Sequence, residues 1–254
     1  MTRDSLYNEL AKYYPYIDGK SEDDVQAEVK SLLEYISDFK DKCPEELSIL
    51  DIGCGTGRHA EIIADNYGAT VYAIDINNGM VRQARNRSAI SEVIQADMHT
   101  LPFDNESKFD VIICLSNTLA YATSSVDRQI IFNEMDRVTN ETGLVLIEFA
   151  PAADPDNIKN NGKTYTNILE YKENRLVITA LQRTTIDGYS LSMITDYLIW
   201  DASVDPNTTQ HFTDKHTNLT MATKEEIREE LTRSGFSNID VKEKVVSDTL
   251  FVAK

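Results

Sequence analysis

Hydrophobic and polar positions follow a regular alternation between residues 48 and 149 of the chain. Short apolar runs typical of buried strands lie between segments whose apolar residues recur at helical spacing. This pattern predicts strands at 48–52, 70–75, 91–96, 109–114 and 144–149, with helices at 57–66, 77–86 and 127–138. Strands and helices that alternate at these lengths predict a mostly parallel sheet covered by helices on both faces.

The N-terminal 44 residues predict a helical cap in front of this sheet. Ser21 followed by Glu22-Asp23-Asp24 provides an N-cap and an acidic first turn. The apolar residues behind this start recur at helical spacing and include Val25, Val29, Leu32, Leu33 and Ile36. The aromatic run Tyr13-Tyr14-Pro15-Tyr16 lies in the same cap, and two interpretations of it stay open. One of its rings closes over a ligand, or the run anchors the helix to the core.

The period changes after Pro151. Residues 152 to 165 are polar and rich in turn formers, and strands without intervening helices are predicted at 176–181, 189–200 and 210–220. Thr223 then starts a helix with capping-box spacing, and strands are predicted at about 236–243 and 247–253.

We therefore predict four parts in the 254-residue chain, namely a helical cap (1–44), a core (45–151), an antiparallel insert (152–220) and the last helix and terminal strands of the core (221–254). The predicted fold is a Rossmann-like, doubly wound α/β domain with a mostly parallel seven-stranded sheet. The antiparallel β insert follows strand 5.

Composition narrows the choice of partners. The net charge is -17, and no basic cluster suited to phosphate binding is visible, which argues against nucleic acid as the main partner. No apolar run reaches the length of a membrane span. Cys43, Cys54 and Cys114 are odd in number and widely spaced, so neither a disulfide framework nor a zinc site is predicted. We expect a cytoplasmic protein without a membrane or nucleic-acid partner.

The most informative stretch is a glycine-rich turn between the first strand and the first core helix. Gly53, Gly55 and Gly57 follow the apolar strand, and such glycines let the backbone approach a ligand while the next helix turns its free N–H groups toward it. Asp75 ends the second strand at the separation expected of a carboxylate that binds a ribose diol. The spacing G-x-G-x-G differs from the dinucleotide fingerprint G-x-G-x-x-G, so a nicotinamide oxidoreductase does not fit.

Preceded by Asp51, this turn resembles motif I of the class I S-adenosylmethionine (SAM) dependent methyltransferases. Asp75, Ala96-Asp97-Met98 and the strand 109–114 follow in the order that the family requires. The resemblance implies SAM as the cofactor. It implies cofactor contacts from Tyr14, Asp51, Gly53, Cys54, Gly55, Asp75, Ile76, Met80, Asp97, Met98 and Leu115. Asp97 is assigned to the adenine amino group, with a helix N-cap as the alternative.

The segment Cys114–Tyr121 stands where the family delivers the methyl group. It lacks the Asn/Asp-Pro-Pro-Tyr/Phe clamp of amino-methylating nucleic-acid enzymes, the glutamate pair of protein arginine methyltransferases and the acidic metal ligand of catechol-type enzymes. A metal-free enzyme for small molecules is what the resemblance implies. Gln210–His216 is similar to the H-F-x-x-x-H segment of the amino-sugar N,N-dimethyltransferases, but Thr220-Met221 departs from that group. Glycine- or sarcosine-type amines therefore stay open as acceptors.

His216, Glu148 and Tyr121 are the candidate catalytic residues. A histidine suits proton removal from an amine, and His211 is five residues from His216, so a regular strand places the two on opposite faces. Ordinary packing is the alternative for each histidine. Glu148 binds a cationic amine or is a solvated or capped carboxylate. Arg175 and Arg183 hold an anionic part of the substrate or are surface charges.

Two hypotheses about activity follow. The first is a SAM-dependent methyltransferase that transfers a methyl group in line to a small molecule, at nitrogen. The second is a SAM-binding protein without transferase activity, whose insert recognises a partner protein. The strand edges of the insert predict a homodimer in either case.

Overall fold

Two β-sheets organise the chain. A computed structural model describes residues 6–39, 42–150, 161–243 and 249–254. The strands of the described residues are β1 (Ser48–Ile52), β2 (Thr70–Asp75), β3 (Glu92–Gln95), β4 (Phe109–Cys114), β5 (Thr139–Phe149), β6 (Thr164–Tyr171), β7 (Leu176–Asp187), β8 (Ser190–Asp201), β9 (Thr209–Thr220), β10 (Asp240–Glu243) and β11 (Thr249–Ala253). The larger sheet has seven strands in the order β10-β11-β5-β4-β1-β2-β3. In this sheet β11 runs antiparallel to the other six strands, so the predicted mostly parallel seven-stranded sheet is confirmed.

Six α-helices accompany the strands in the described ranges. They are α1 (Tyr14–Ile17), α2 (Glu22–Phe39), α3 (Arg58–Tyr67), α4 (Asn78–Ala84), α5 (Ser125–Val138) and α6 (Lys224–Arg233). The cap signals act as the sequence predicted. Ser21 Oγ accepts the Asp24 N–H at 3.1 Å, and Thr223 forms a capping box with Glu226. None of these helices has the length and apolar composition needed to span a bilayer.

The two faces of the larger sheet bury separate apolar clusters. On one face, Val29 and Leu32 of α2 and Ile63 of α3 belong to the same cluster as β1 and β4 side chains. On the other face, Phe132 of α5 and Leu231 of α6 form part of the second cluster. Every residue of β4 is buried, as expected for a central parallel strand covered by helices on both faces.

The insert forms a second, four-stranded antiparallel sheet in the order β6-β7-β8-β9. The prediction of three strands was incomplete, because β6 is an edge strand whose first five residues are exposed. Such a strand lacks the apolar alternation that identifies half-buried strands. The turn between β7 and β8 lies at 188–189. The predicted boundary at 151/152 lies outside the described residues, as does the predicted start of the last strand at 247.

Two core elements begin earlier than predicted. α5 begins at Ser125, because Ser124 Oγ accepts the Asp127 N–H and sets the N-cap. β5 begins at Thr139 rather than 144, and its pairing with β4 has an irregular register between Phe109 and Val111. The first residues of β5 are polar, so apolar runs do not indicate where this strand begins. β10 is confined to 240–243, shorter than predicted.

Residues 6–17 lie between the larger sheet and the insert. Leu10 and Tyr13 pack in one apolar cluster with Ile178 and Ile199 of the insert, and the Tyr13 hydroxyl donates to Asp201 at 2.8 Å. The same segment contacts α4 closely, because a Cβ on Gly79 would lie 2.5 Å from the Tyr7 carbonyl oxygen. The cap is thus held on both sides, over the edge of the sheet where β1, β2 and β4 end.

Candidate active site

A cavity of about 580 Å³ opens at the carboxyl ends of β1, β2 and β4. Open α/β sheets bind their ligands at this edge, and the volume lies in the range of ligand pockets. Predicted site residues that line it are Tyr14, Asp51, Gly53, Cys54, Gly55, Asp75, Ile76, Met80, Asp97, Met98, Leu115, Tyr121 and Glu148. His216 is not among the lining residues.

The glycine turn forms one wall of the cavity. The Gly53 and Cys54 N–H groups both donate to the Ile74 carbonyl at 2.9 Å, which fixes the turn against β2. Gly53 and Gly55 have φ values of +71° and +57°. A Cβ on Gly53 would lie 2.7 Å from Thr118 Oγ1, whereas a Cβ on Gly55 would meet nothing within 4 Å. Gly53 therefore permits close packing, and Gly55 leaves room inside the cavity.

Asp75 presents its carboxylate to the cavity in a fixed orientation. Its Oδ2 accepts the Gly55 N–H at 3.0 Å and its Oδ1 accepts the Asn77 N–H at 2.8 Å. Burial raises the pKa of Asp75, and the two backbone hydrogen bonds act in the opposite direction. Each carboxylate oxygen keeps acceptor capacity for one further donor. Two oxygens held in this way suit a pair of adjacent hydroxyl groups.

Asp51 is a buried carboxylate at the base of the glycine turn. It is 3% exposed, lines the cavity, and receives no hydrogen bond from the residues that the structure describes. Burial raises its pKa to about 7, with the nearby His59 lowering it and Asp75 raising it. A buried, unpaired carboxylate is costly, so a cationic or hydrogen-bond-donating ligand group at this position would compensate it.

Asp97 and Met98 lie in the turn after β3. Asp97 Oδ1 accepts the His99 N–H at 2.9 Å and lies 2.7 Å from His99 Nδ1. The Thr100 N–H donates to the Asp97 carbonyl, so the residue begins a turn and the helix N-cap alternative is wrong. Both side-chain contacts use Oδ1, which leaves Oδ2 as an acceptor beside the apolar side chain of Met98.

The loop after β4 forms the opposite wall. Ser116 and Asn117 have φ values of +52° and +59°, a conformation that costs energy in residues other than glycine and that clusters at functional sites. The Ser116 N–H donates to Glu148 Oε2 at 2.6 Å, and the Ala150 N–H donates to Asn117 Oδ1 at 3.1 Å. Glu148 is 1% exposed and accepts a backbone N–H, so it is not a solvated carboxylate, and the capped-carboxylate alternative fits this contact. Its carboxylate holds the loop and faces the cavity.

Tyr121 connects the cavity to His216. The Tyr121 hydroxyl lies 2.8 Å from the Tyr7 hydroxyl and 2.9 Å from His216 Nδ1. His216 is buried. His211 lies on the opposite face of β9, where its side chain is 59% exposed and 3.2 Å from Asp196 of β8. Sequence reasoning missed Tyr7, because nothing in the apolar pattern of residues 6–10 distinguishes it from a packing residue.

The cap closes the mouth of the cavity. Burial raises the pKa of Tyr14 to about 12, so its hydroxyl stays protonated. The Arg58 guanidinium, at the start of α3, contacts Asp18 at 2.9 Å, Glu22 at 3.2 Å and the Lys20 carbonyl. This arginine, which sequence analysis did not single out, ties the segment before α2 to the glycine turn.

Two other candidates, both arginines of the insert, lie apart from the cavity wall. Arg175 and Arg183 are exposed on the insert and do not line the cavity, so the surface-charge alternative holds for both. His59 packs against Glu28 of α2 at 2.9 Å. Within the described ranges, no group of three or more His, Cys, Asp or Glu side chains is arranged to hold a metal ion.

Comparison with known proteins agrees with the chemistry of the cavity. The sequence profile of a family described as a methyltransferase domain matches residues 49–143. The dTDP-3-amino-3,6-dideoxy-alpha-D-glucopyranose N,N-dimethyltransferase of Streptomyces fradiae is 22% identical over 229 residues, which are 90% of this chain and 84% of that protein. The dTDP-4-amino-2,3,4,6-tetradeoxy-D-glucose N,N-dimethyltransferase of Saccharopolyspora spinosa is 28% identical over 65% of this chain and 64% of its own length.

The fold also has relatives of known structure. The crystal structure of DesVI from Streptomyces venezuelae superposes with a TM-score of 0.78 at 20% identity, and the comparison covers 100% of this chain and 99% of that one. This likeness shows the fold, including the insert. The methyltransferase resemblance that the glycine turn predicted is thus confirmed by the family match.

Proposed function

We propose, from the match of residues 49–143 to a methyltransferase domain family, that the protein transfers a methyl group from SAM to the amine nitrogen of a small molecule. One observation carries the proposal. Two buried carboxylates, Asp51 and Asp75, face the same cavity beside the glycine turn, and the Asp75 oxygens are oriented by backbone donors. This arrangement fits a ligand with an ammonium group and a ribose diol.

The residues present fit SAM along its length. Asp51 would compensate the amino group of the methionine part, while Gly55 leaves space for the atoms of that part. Asp75 accepts the two ribose hydroxyls. Asp97 Oδ2 accepts from the adenine amino group, and Ile76, Met80 and Met98 supply apolar surface for the ring. Tyr14, Cys54 and Leu115 complete the wall.

The chain itself orients the two reactants and removes a proton from the acceptor. When bound, SAM would supply an electrophilic methyl group on a sulfonium. The loop after β4, held by Glu148, sets the distance of the acceptor, and holding two reactants in line removes much of the entropic barrier. The Glu148 carboxylate binds the acceptor as an ammonium ion. Tyr121 and His216 then receive the proton that the amine must lose before it can attack.

An amine is the acceptor that the charges favour. Glu148 is a buried carboxylate on the cavity wall, and carboxylates attract cations. The lysine and the arginine that line the cavity, Lys20 and Arg58, both contact carboxylates of the cap. The amino-sugar N,N-dimethyltransferases among the relatives support the same acceptor class. Amino sugars come first in an acceptor screen, and glycine-type amines come second.

The three cysteines are unpaired in the described residues, which fits a reducing compartment, and we assign the activity to the cytoplasm. The insert ends in two edge strands, β6 and β9, which support the homodimer prediction.

Calorimetric titration tests the cofactor assignment. The unsubstituted protein is titrated with SAM and with S-adenosylhomocysteine, beside Asp75→Ala and the matched control Asp65→Ala, which removes an exposed carboxylate of α3. We expect micromolar binding that Asp75→Ala abolishes and Asp65→Ala leaves unchanged. No binding of either ligand overturns the proposal. Binding of both ligands without S-adenosylhomocysteine production on any amine favours the alternative of a SAM-binding protein whose insert recognises a partner.

A further inference from the structure

Four side chains from three separate parts of the chain form a continuous line from the cavity into the insert. Tyr7 lies in the cap, Tyr121 follows β4, and His216 and Asp214 lie on β9. The Tyr7 and Tyr121 hydroxyls are 2.8 Å apart, Tyr121 is 2.9 Å from His216 Nδ1, and His216 Nε2 is 2.5 Å from Asp214 Oδ2. Both tyrosines line the cavity.

The far end of the line is a deeply buried carboxylate. Asp214 is 1% exposed, and its Oδ1 accepts the Leu6 N–H at 2.9 Å. Among the described residues Oδ2 has no hydrogen bond of regular geometry, and the group that faces it is the imidazole of His216, whose Nε2 lies 2.5 Å away. A buried carboxylate oxygen needs such a neighbour, because an unpaired one is costly. The contact with Leu6 also means that this end is complete only when the cap is in place.

A relay from the cavity to the histidine needs one arrangement of the protons. A carboxylate only accepts, so in this arrangement Nε2 of His216 carries a proton on the side of Asp214, and Nδ1 is the acceptor. The Tyr121 hydroxyl has one proton and lies within hydrogen-bond distance of both the Tyr7 oxygen, to which it donates in the structure, and Nδ1. Rotation of the two O–H groups turns Tyr121 toward Nδ1 and Tyr7 toward the Tyr121 oxygen. Burial raises the pKa of Tyr7 well above its ordinary value, so Tyr7 stays protonated and can donate.

The strand geometry that produces this line is specific. Asp214 and His216 are two residues apart on β9 and so share the inner face. The pairing of β9 with β8 is regular from Thr209 to His216 and then shifts. Leu191 and Met193 of β8 are two residues apart, whereas their partners on β9, Leu219 and His216, are three residues apart. Bulges of this kind re-aim side chains beside active sites.

We propose that Tyr7, Tyr121, His216 and Asp214 form a proton relay that converts the bound ammonium of the acceptor into the neutral amine. This inference rests on the proposed function and adds two residues to it, Tyr7 and Asp214. The relay has the logic of a hydroxyl–histidine–aspartate triad, in which the carboxylate fixes the tautomer of the imidazole and stabilises its protonated form.

The proton leaves the ammonium in three transfers. An N–H bond of the ammonium breaks as an O–H bond forms at the Tyr7 oxygen, the Tyr7 proton moves to the Tyr121 oxygen, and the Tyr121 proton moves to His216 Nδ1. The amine keeps the electron pair that forms the N–C bond. The imidazolium lies against Asp214, and its proton returns along the same line to solvent when the product leaves.

Histidine NMR tests the proton arrangement without any acceptor. The chain has four histidines, so protein labelled with 15N at histidine gives a simple spectrum, and His216→Gln identifies the His216 signals. We expect His216 as the Nε2–H tautomer with Nδ1 unprotonated. Asp214→Asn should change that tautomer, whereas the matched control Asp196→Asn, beside the exposed His211, should leave it unchanged. An Nδ1–H tautomer in the unsubstituted protein overturns the relay.

Kinetics then separate the relay from the proposed function. The probe is the amine that gives the fastest transfer in a panel of amino sugars and glycine derivatives. Tyr121→Phe keeps the ring and removes the hydroxyl, and we expect kcat to fall on the order of 10²-fold, with SAM affinity unchanged. His211→Gln should not alter kcat. Full transfer by Tyr121→Phe and Asp214→Asn overturns the relay and leaves the function standing. The absence of transfer to every amine in the panel overturns both.

Discussion

The Gly55 N–H donates to Asp75 Oδ2 at 3.0 Å, which joins the glycine turn after β1 to the end of β2. This bond has two consequences. It fixes the turn in the conformation that leaves space for a ligand, and it aims the carboxylate at that space. In the proposed function the same residue therefore both shapes the cofactor site and binds the ribose.

The first prediction concerns this dual role. Asp75→Asn keeps an acceptor for one of the two backbone N–H groups but loses the charge. We expect SAM affinity to fall by at least 10²-fold, because hydrogen bonds to a charged group contribute about 1.5–3 kcal/mol each. Titration calorimetry measures the loss. Unchanged affinity would mean that the ribose is held elsewhere.

The second prediction concerns Gly53, which combines a positive φ with a close neighbour. Gly53→Ala should lower the free energy of unfolding by roughly 2–6 kcal/mol, the sum of about 1–3 for the left-handed conformation and about 1–3 for overpacking against Thr118. Gly188→Ala is the matched control, because Gly188 has a φ of +58° and no neighbour within 4 Å of a Cβ. Equal losses in the two variants, measured by chemical denaturation, would contradict a role for the Thr118 contact.

The third prediction concerns pH and Asp51. Burial raises the pKa of this group from 3.8 to about 7 in the folded protein, so the folded state binds more protons than the unfolded state between those values. The charge therefore destabilises the fold as the pH rises from about 4 to 7. Asp51→Asn should match the original protein near pH 4 and exceed its stability by up to roughly 4 kcal/mol at pH 8, at about 1.4 kcal/mol per pKa unit. Denaturant titrations at both pH values test this, and a constant difference would contradict it.

The fourth prediction concerns Glu148. Glu148→Gln preserves an acceptor for the Ser116 N–H but removes the negative charge that faces the acceptor. We expect kcat/KM for a cationic amine to fall by about 10–100-fold, since charge-assisted hydrogen bonds contribute roughly 1.5–3 kcal/mol. SAM affinity should stay the same. A variant with weakened SAM binding and normal use of the amine would place the carboxylate at the cofactor instead.

Much of the core could be predicted from the sequence, because parallel strands buried on both faces appear as apolar runs and the glycine turn and Asp75 lie in one βαβ unit. β6 could not, since an exposed edge strand carries no alternation. The same limit applies to the acceptor side of the cavity. Tyr7 lies 114 residues from Tyr121 in the chain, and Leu6 lies 208 from Asp214, so only the folded chain brings these groups together.

The histidines show how far local geometry reaches. Their spacing alone indicated that His211 and His216 face opposite sides of β9, and burial distinguishes the two in the structure. The spacing did not indicate that His216 contacts Tyr121 of the cavity wall, because that contact depends on where the loop after β4 meets the insert.

Transfer of a labelled methyl group tests the central claim most directly. Protein is incubated with SAM carrying 13C in the methyl group and with a panel of amino sugars and glycine derivatives, and NMR follows the label. We predict a new N-methyl signal on one class of amine, with one S-adenosylhomocysteine formed per methyl group transferred and no signal with Asp75→Ala. A protein that binds SAM and leaves the label on it with every amine would contradict the account.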